Sequence, residues 1–180
     1  MRAFLAIDLP EAAEAAVAPL QEALGAGRAV PAENLHLTLA FLGEQPEPAL
    51  GALDDVLERL RAPDFELEPA GLEIFGAKAA EAVALGIRPS PALDHLHGKL
   101  RAAIHAAGLD LPRARFRPHV TIARFGRRPE GRDRARLAAF LAAHGDVRLP
   151  PFPAGGVTLF RSTLTRDGAI HEALRVYPLG

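Results

Sequence analysis

The sequence predicts one α+β domain with two lobes, and three observations carry that expectation. The chain repeats itself: residues 35–43 read LHLTLAFLG and residues 118–126 read PHVTIARFG, so an offset of 83 overlays His36 on His119, Thr38 on Thr121 and Gly43 on Gly126. In each half, apolar residues alternate as in a strand or recur at helical spacing, in the same order. With 180 residues, 49% hydrophobic and 24% charged, the chain can bury one medium-sized core without staples.

The repeat reaches beyond the paired motifs. The same offset puts Pro46-Glu47 on Pro129-Glu130, while Pro69-Ala70-Gly71 matches Pro153-Ala154-Gly155 at 84 and Leu5-x-Ile7 matches Leu85-x-Ile87 at 80. Self-similarity at this scale marks a fold built by copying one unit. Repeat one is assigned to about residues 2–76, repeat two to about 82–161, and a closing strand to 169–177. The breaks near 77–81 and 150–153 are too short for linkers, so residues 1–180 read as a single domain.

Each half follows a β-α-β-α-β plan. Residues 2–8 alternate as a strand, and Asp8-x-x-Glu11 has the form of a capping box for the helix that follows. That helix carries Ala13, Val17, Leu20 and Leu24 on one side. The His36 segment is the second strand, closed by Gly43 and prolines. Leu50, Leu53, Leu57 and Leu60 then mark a helix, and a third strand falls near 71–75. In the second half the equivalents are a strand at 82–87, a helix at 91–107 bearing Leu93, Leu96, Leu100 and Ile104, a strand at 118–125, a helix near 130–143 and a strand at 156–161.

Composition removes several function classes. Cysteine is absent, which excludes disulfides, thiolate metal sites and cysteine nucleophiles. No stretch is apolar enough for a signal peptide or a membrane span, so a cytoplasmic protein is expected. No glycine-rich nucleotide loop is present, which argues against ATP-driven chemistry. The net charge of -1 hides an asymmetry: residues 1–62 hold ten acids against four arginines, and residues 113–136 hold nine arginines against two acids. The arginine cluster is a candidate anion-binding surface, or else a solvated face.

The chemistry lies in the two His-x-Thr strands. Residues i and i+2 of a strand share a face, so His36 and Thr38 point one way while Leu35, Leu37, Leu39 and Phe41 point the other. His119 and Thr121 share a face opposite Val120 and Ile122. An apolar-His-apolar-Thr-apolar string is expected by chance roughly 0.02 times in such a chain. A single strand histidine is more often structural than catalytic. Two in equivalent places are not explained by packing. A pseudo-twofold arrangement would bring all four polar side chains into one cleft. There one imidazole can deprotonate water while the other protonates a leaving alkoxide, and the threonine hydroxyls can donate to phosphoryl oxygens. That set needs no metal and no cofactor.

The pair LHLTLAFLG and PHVTIARFG, with the opening FLAIDLP and the lead-in FRPH, resembles the two-histidine phosphoesterase superfamily, and within it the RNA 2',3'-cyclic phosphodiesterases, also called 2'-5' RNA ligases. The resemblance spans nearly the whole chain. It implies a duplicated unit with antiparallel sheets lining a central cleft, acting as a monomer on RNA ends that carry a 2',3'-cyclic phosphate. The implied reaction is hydrolysis to a 2'-phosphate, with weak reversible 2'-5' ligation beside it, His36 as acid and His119 as base. Arg124 follows the second motif and is implied to neutralise substrate phosphate. Phe41 holds the equivalent place after the first and is implied to stack on a base. Strict alternation, however, puts both on the face away from the histidines.

Other constellations carry less. Asp94-His95-Leu96-His97 suggests a metal site, but on a helix His95 and His97 diverge, so a solvated helix side is expected. His144 suits a helix C-terminus. His171 falls in the last strand without a role, and Ser162 and Tyr177 are assigned to the fold. The rival functions are a nucleotide-binding module without turnover and an interaction domain; neither requires both histidines and both threonines.

Overall fold

The apolar stripes found in the sequence converge on one face of an antiparallel sheet, leaving the other face to the histidines. The computed structural model describes residues 1–76, 79–112, 115–166 and 168–180; residues 77 and 78 of the expected junction and Arg113 of the arginine cluster lie outside them. The strands are β1 (Arg2–Asp8), β2 (Arg28–Ala29), β3 (His36–Glu44), β4 (Phe65–Leu67), β5 (Pro69–Phe75), β6 (Ala82–Ile87), β7 (His119–Arg124), β8 (Phe152–Ala154), β9 (Gly156–Thr165) and β10 (Gly168–Pro178). The helices are α1 (Glu11–Leu24), α2 (Glu47–Leu57), α3 (Pro91–Ala106) and α4 (Gly131–His144). The short strands β2, β4 and β8 carry too few residues to show a period, and sequence patterning missed them.

The main sheet runs β10-β9-β1-β3-β7-β6-β5, with β2 also on β7, and every pairing is antiparallel. The order is symmetric about the β3–β7 junction. Each half has its first and second strands in the middle and receives its third from the other half: β5 pairs with β6, and β9 pairs with β1. β4 and β8 pair with each other in a second, two-stranded sheet. The third strands thus cross between the halves.

One core underlies all of this. Leu5, Ile7, Leu37, Leu39, Leu85, Val120, Ile122 and Leu159 on the sheet pack with Val17, Leu20 and Leu24 of α1, Leu50, Leu53 and Leu57 of α2, Leu93, Leu96 and Leu100 of α3, and Leu137 and Phe140 of α4. Each fully buried leucine contributes about 1.5–3 kcal/mol through loss of apolar surface from water. All four helices therefore lie on the same side of the sheet. A separate small cluster, Phe4, Ala6 and Phe160, is buried on the opposite side.

Three local expectations are corrected. Asp8 caps nothing: α1 starts from Pro10, whose carbonyl receives the amides of Ala13 and Glu14, and no side chain caps it. Asp8 is still in β1 and accepts a hydrogen bond from the buried Thr158 hydroxyl at 2.6 Å. Leu60 lies beyond the end of α2, in the turn that follows. The first strands align at an offset of 78 rather than 80, because Ala6 pairs with Thr38 and Asp8 with His36 as Ala84 pairs with Thr121 and Gly86 with His119. Both offsets are even, so each keeps the same residues in the core, and apolar matching alone cannot tell them apart.

Candidate active site

At the junction of the two motif strands, β3 and β7 meet through the register pair Leu37 opposite Val120, the central residues of the two His-x-Thr motifs. Antiparallel pairing then puts His36 across from Thr121 and Thr38 across from His119, with all four on the face away from the helices. Directly opposed side chains in such a ladder are about 4.5–5.5 Å apart at Cβ and diagonal ones about 7–8 Å. The two imidazoles are the diagonal pair. The buried Leu37 and Val120, both with no exposure, fix this register from below.

Both rings are oriented alike. His36 Nδ1 lies 2.8 Å from the carbonyl of Asn34, and His119 Nδ1 lies 2.7 Å from the carbonyl of Arg117. A carbonyl only accepts, so each Nδ1 carries the proton and each neutral ring keeps its lone pair on Nε2. Asn34 and Arg117 are themselves related by the offset of 83. The fold thus presents two imidazole Nε2 atoms with the same tautomer, each across from a threonine hydroxyl.

The surroundings differ. The His36 ring lies 4.9 Å from Phe4 and 6.2 Å from Phe160 between centroids, and the ring of His171 stands edge-on to it at 5.3 Å and 88°. Burial pushes His36 down to about 4; the Asn34 carbonyl opposes the shift, and His171, Arg124 and His119 add to it. His36 is therefore uncharged at neutral pH. His119 instead stacks on Phe75 at 4.1 Å, with the Arg117 guanidinium over that ring at 4.6 Å and paired with Glu73. Phe75 and Phe160 end the matching strings GLEIF and GVTLF, a repeat signal that could have identified both. Beside His36 the register partner is Asp8; beside His119 it is Gly86, where a Cβ would come 2.8 Å from the Ala70 carbonyl.

Phe41 and Arg124 are on the cleft face, not the core face. In β3 the pairing with β1 jumps from Ala6–Thr38 to Leu5–Ala40, and in β7 the pairing with β6 jumps from Ala84–Thr121 to Val83–Ala123. Each jump inserts one extra residue, Leu39 or Ile122, and a bulge of this kind reverses the alternation beyond it. Leu39 with Ala40, and Ile122 with Ala123, are all buried. The next residue in each strand turns to the histidines: Phe41 reaches 6.0 Å from the Phe4 ring, and Arg124 lines a cavity with His36 and Thr121.

That cavity, about 110 Å³, is completed by Arg28, Asn34, Gly168 and His171 among others. Arg28 reaches it because β2 pairs it directly with Arg124. Burial, then Arg28, lowers the Arg124 guanidinium from its ordinary value. Gly168 has φ +130°, and a Cβ there would press on the Arg28 guanidinium at 3.1 Å. A second cavity shares Arg28 and Arg124 and continues past Arg127 and Arg128, so part of the arginine cluster borders the cleft. Arg136 instead donates to the Gly25 carbonyl at the end of α1.

The remaining histidines divide. His95 is exposed, whereas His97, expected on a solvated side, stacks flat on Phe116 at 4.0 Å and 6°. Among the described residues no three His, Asp or Glu side chains gather as a metal site. Tyr177 donates to Asp54 at 2.6 Å, and Arg175 pairs with Asp54 and Glu58, tying β10 to α2. His171 is the residue that sequence reasoning passed over: a strand assignment does not reveal which ring it meets.

Four convergent donors and acceptors around one gap, with cations at its edge, suit general acid–base attack on a phosphoryl group. The chain is similar to known proteins along most of its length. The 2'-5' RNA ligase superfamily matches residues 9–163. A Methanothermobacter thermautotrophicus protein named RNA 2',3'-cyclic phosphodiesterase is 31% identical over 186 residues, covering 99% of both chains. A Thermus thermophilus protein of the same name is 32% identical over 200 residues, covering 99% of this chain and 90% of its own. Among solved structures, TT0787 of Thermus thermophilus superposes with a TM-score of 0.81 at 27% identity, covering 99% and 97% of the two chains. Escherichia coli LigT in complex with 3'-AMP superposes with a TM-score of 0.77 at 29% identity, again covering 99% and 97%.

Proposed function

The chain belongs to the 2'-5' RNA ligase superfamily, and from that membership we propose that it hydrolyses terminal 2',3'-cyclic phosphates of RNA to 2'-phosphates, with His36 and His119 as its acid–base pair. The observation that carries this reading is the Leu37–Val120 register, which sets two like-oriented imidazoles and two threonines around one gap.

In the proposed reaction the cyclic phosphodiester lies between the rings. His119 Nε2 takes a proton from water as the new P–O bond forms. His36 Nε2 gives a proton to the 3' oxygen as the P–O3' bond breaks, leaving a 2'-phosphate. Thr38 and Thr121 donate to the non-bridging oxygens, and Arg124 adds positive charge at the rim. Burial keeps His36 unprotonated at neutral pH in the free protein, and an anionic substrate against Nε2 favours the imidazolium that the step requires. With a 5'-hydroxyl in place of water the same proton transfers would form a P–O5' bond as P–O3' breaks, joining ends through a 2'-5' linkage, and their reverse would return the cyclic phosphate and the 5'-hydroxyl. Phe41, exposed beside Phe4, offers a face on which a base can stack.

The experiment is product analysis on an oligonucleotide ending in a 2',3'-cyclic phosphate, with and without excess chelator. Release of the 2'-monoester in both conditions is expected, and His36→Ala or His119→Ala should each lower kcat by about 10²–10⁴. Normal turnover by either single variant would refute the acid–base pair. Loss of activity in chelator would point to a metal instead.

A further inference from the structure

We propose that His171 is a positioning residue for His36: a third imidazole, set edge-on by β10, that holds the His36 ring in its working orientation and makes the two catalytic histidines unequal. The inference rests on the acid–base reading above and adds to it a residue from outside the duplicated unit.

The geometry has three parts. The His171 ring meets the His36 ring at 5.3 Å and 88° and the Phe4 ring at 4.9 Å and 77°, so His36 is walled by Phe4 and His171 together. The strand that delivers His171 is tied to the same residue that orients His36: the Asn34 carbonyl holds His36 Nδ1, and the Asn34 side-chain amide donates to the Ala169 carbonyl at 3.2 Å. His171 itself is positioned by strand pairing opposite Ser162 and by ring contacts, since its Nδ1 is buried without a hydrogen-bond partner among the described residues. A leucine or phenylalanine would fill such a slot without stranding a polar atom. An imidazole is retained there beside the cavity that Arg124 and Thr121 also line.

Among the described residues nothing equivalent serves His119. β10 has no counterpart after β5, and the partners of His119 are Phe75 and the Arg117–Glu73 pair. The charged and titratable groups around His36 are His171 from β10, Arg124 and His119 from β7, Arg28 from β2 and Asp8 from β1. Of these, His171 is the one in direct ring contact. Positive charge on it would disfavour charge on His36, and burial together with Arg124 lowers its own pKa.

The test compares His171→Ala with His171→Phe. Loss of a ring that fixes a catalytic group to within an ångström costs on the order of 10²-fold, so His171→Ala should lose about ten- to a hundred-fold in kcat with KM little changed. His171→Phe restores the edge contact and should recover most of that loss. In both variants the pH limb belonging to His36 should move to higher pH and that of His119 should stay. NMR titration of the His36 imidazole in folded His171→Phe reads the same effect without catalysis, and serves if the alanine variant misfolds. Wild-type kcat with both limbs in place in His171→Ala would overturn the proposal. So would equal losses in the two variants, or an unmoved His36 titration in His171→Phe. If His36→Ala itself turns over normally, the acid–base reading fails; if it loses activity as expected while His171→Ala keeps the wild-type kcat, only the present inference fails.

Discussion

Acid should destabilise this protein through His36, and the effect can be isolated. Its pKa is about 4 in the fold against 6.5 for the free side chain, with burial as the first cause. Because the folded value is the lower one, protons bind the unfolded chain first. Stability from this group is therefore fully present above pH 6.5, declines as pH falls through the interval, and is lost by pH 4. The full displacement corresponds to roughly 3 kcal/mol. At pH 5 the unfolded imidazole is almost wholly protonated and the folded one about one part in ten, a cost of roughly 2 kcal/mol. His36→Gln removes the titrating group and leaves His97, which is remote from the cleft, to contribute equally in both proteins. Urea unfolding at pH 7 and pH 5 should show the wild type losing about 2 kcal/mol more than the variant. If the two lose the same amount within about 0.5 kcal/mol, or if the His36 ring titrates near 6.5 in the free protein, the cleft is not as dry as the packing of Phe4, Phe160 and His171 implies. Added nucleoside 2'-phosphate should raise the His36 titration, as an anion beside Nε2 requires.

Three further outcomes are expected. Thr121→Val keeps the shape of the strand but removes a hydroxyl aimed at the phosphoryl group; kcat should fall about 10²–10³-fold, with Thr121→Ser recovering part of it in steady-state assays. Leu37→Ala opens a cavity under the register pair that joins β3 to β7. It should cost about 2–5 kcal/mol in chemical denaturation and reduce kcat although the residue touches no substrate; unchanged kcat would mean that the register does not depend on this leucine. Arg124→Ala should raise KM for an oligonucleotide and flatten its salt dependence, and Arg124→Lys should recover the charge but not the bidentate contact. A variant with unchanged KM would leave Arg124 a purely structural role.

Much of this protein was legible in its sequence, because period and repetition are local properties. β1 and β6 fall at the expected bounds, α3 and α4 end within a residue of theirs, and the paired motifs stood out through duplication. The side-chain types in those motifs suit proton transfer at a phosphoryl group, which is the reading proposed above. What the sequence could not carry was anything set by pairing between distant strands. A single inserted residue in each motif strand, Leu39 and Ile122, reversed the faces of Phe41 and Arg124, since a bulge is fixed by the partner strand's register and leaves no mark on composition. The exchange of third strands between the halves, the arrival of Arg28 beside Arg124, and the placing of His171 against His36 are likewise long-range events. The inequality of the twin histidines follows from them: identical local motifs acquire different solvation and different neighbours only when the chain closes around one of them.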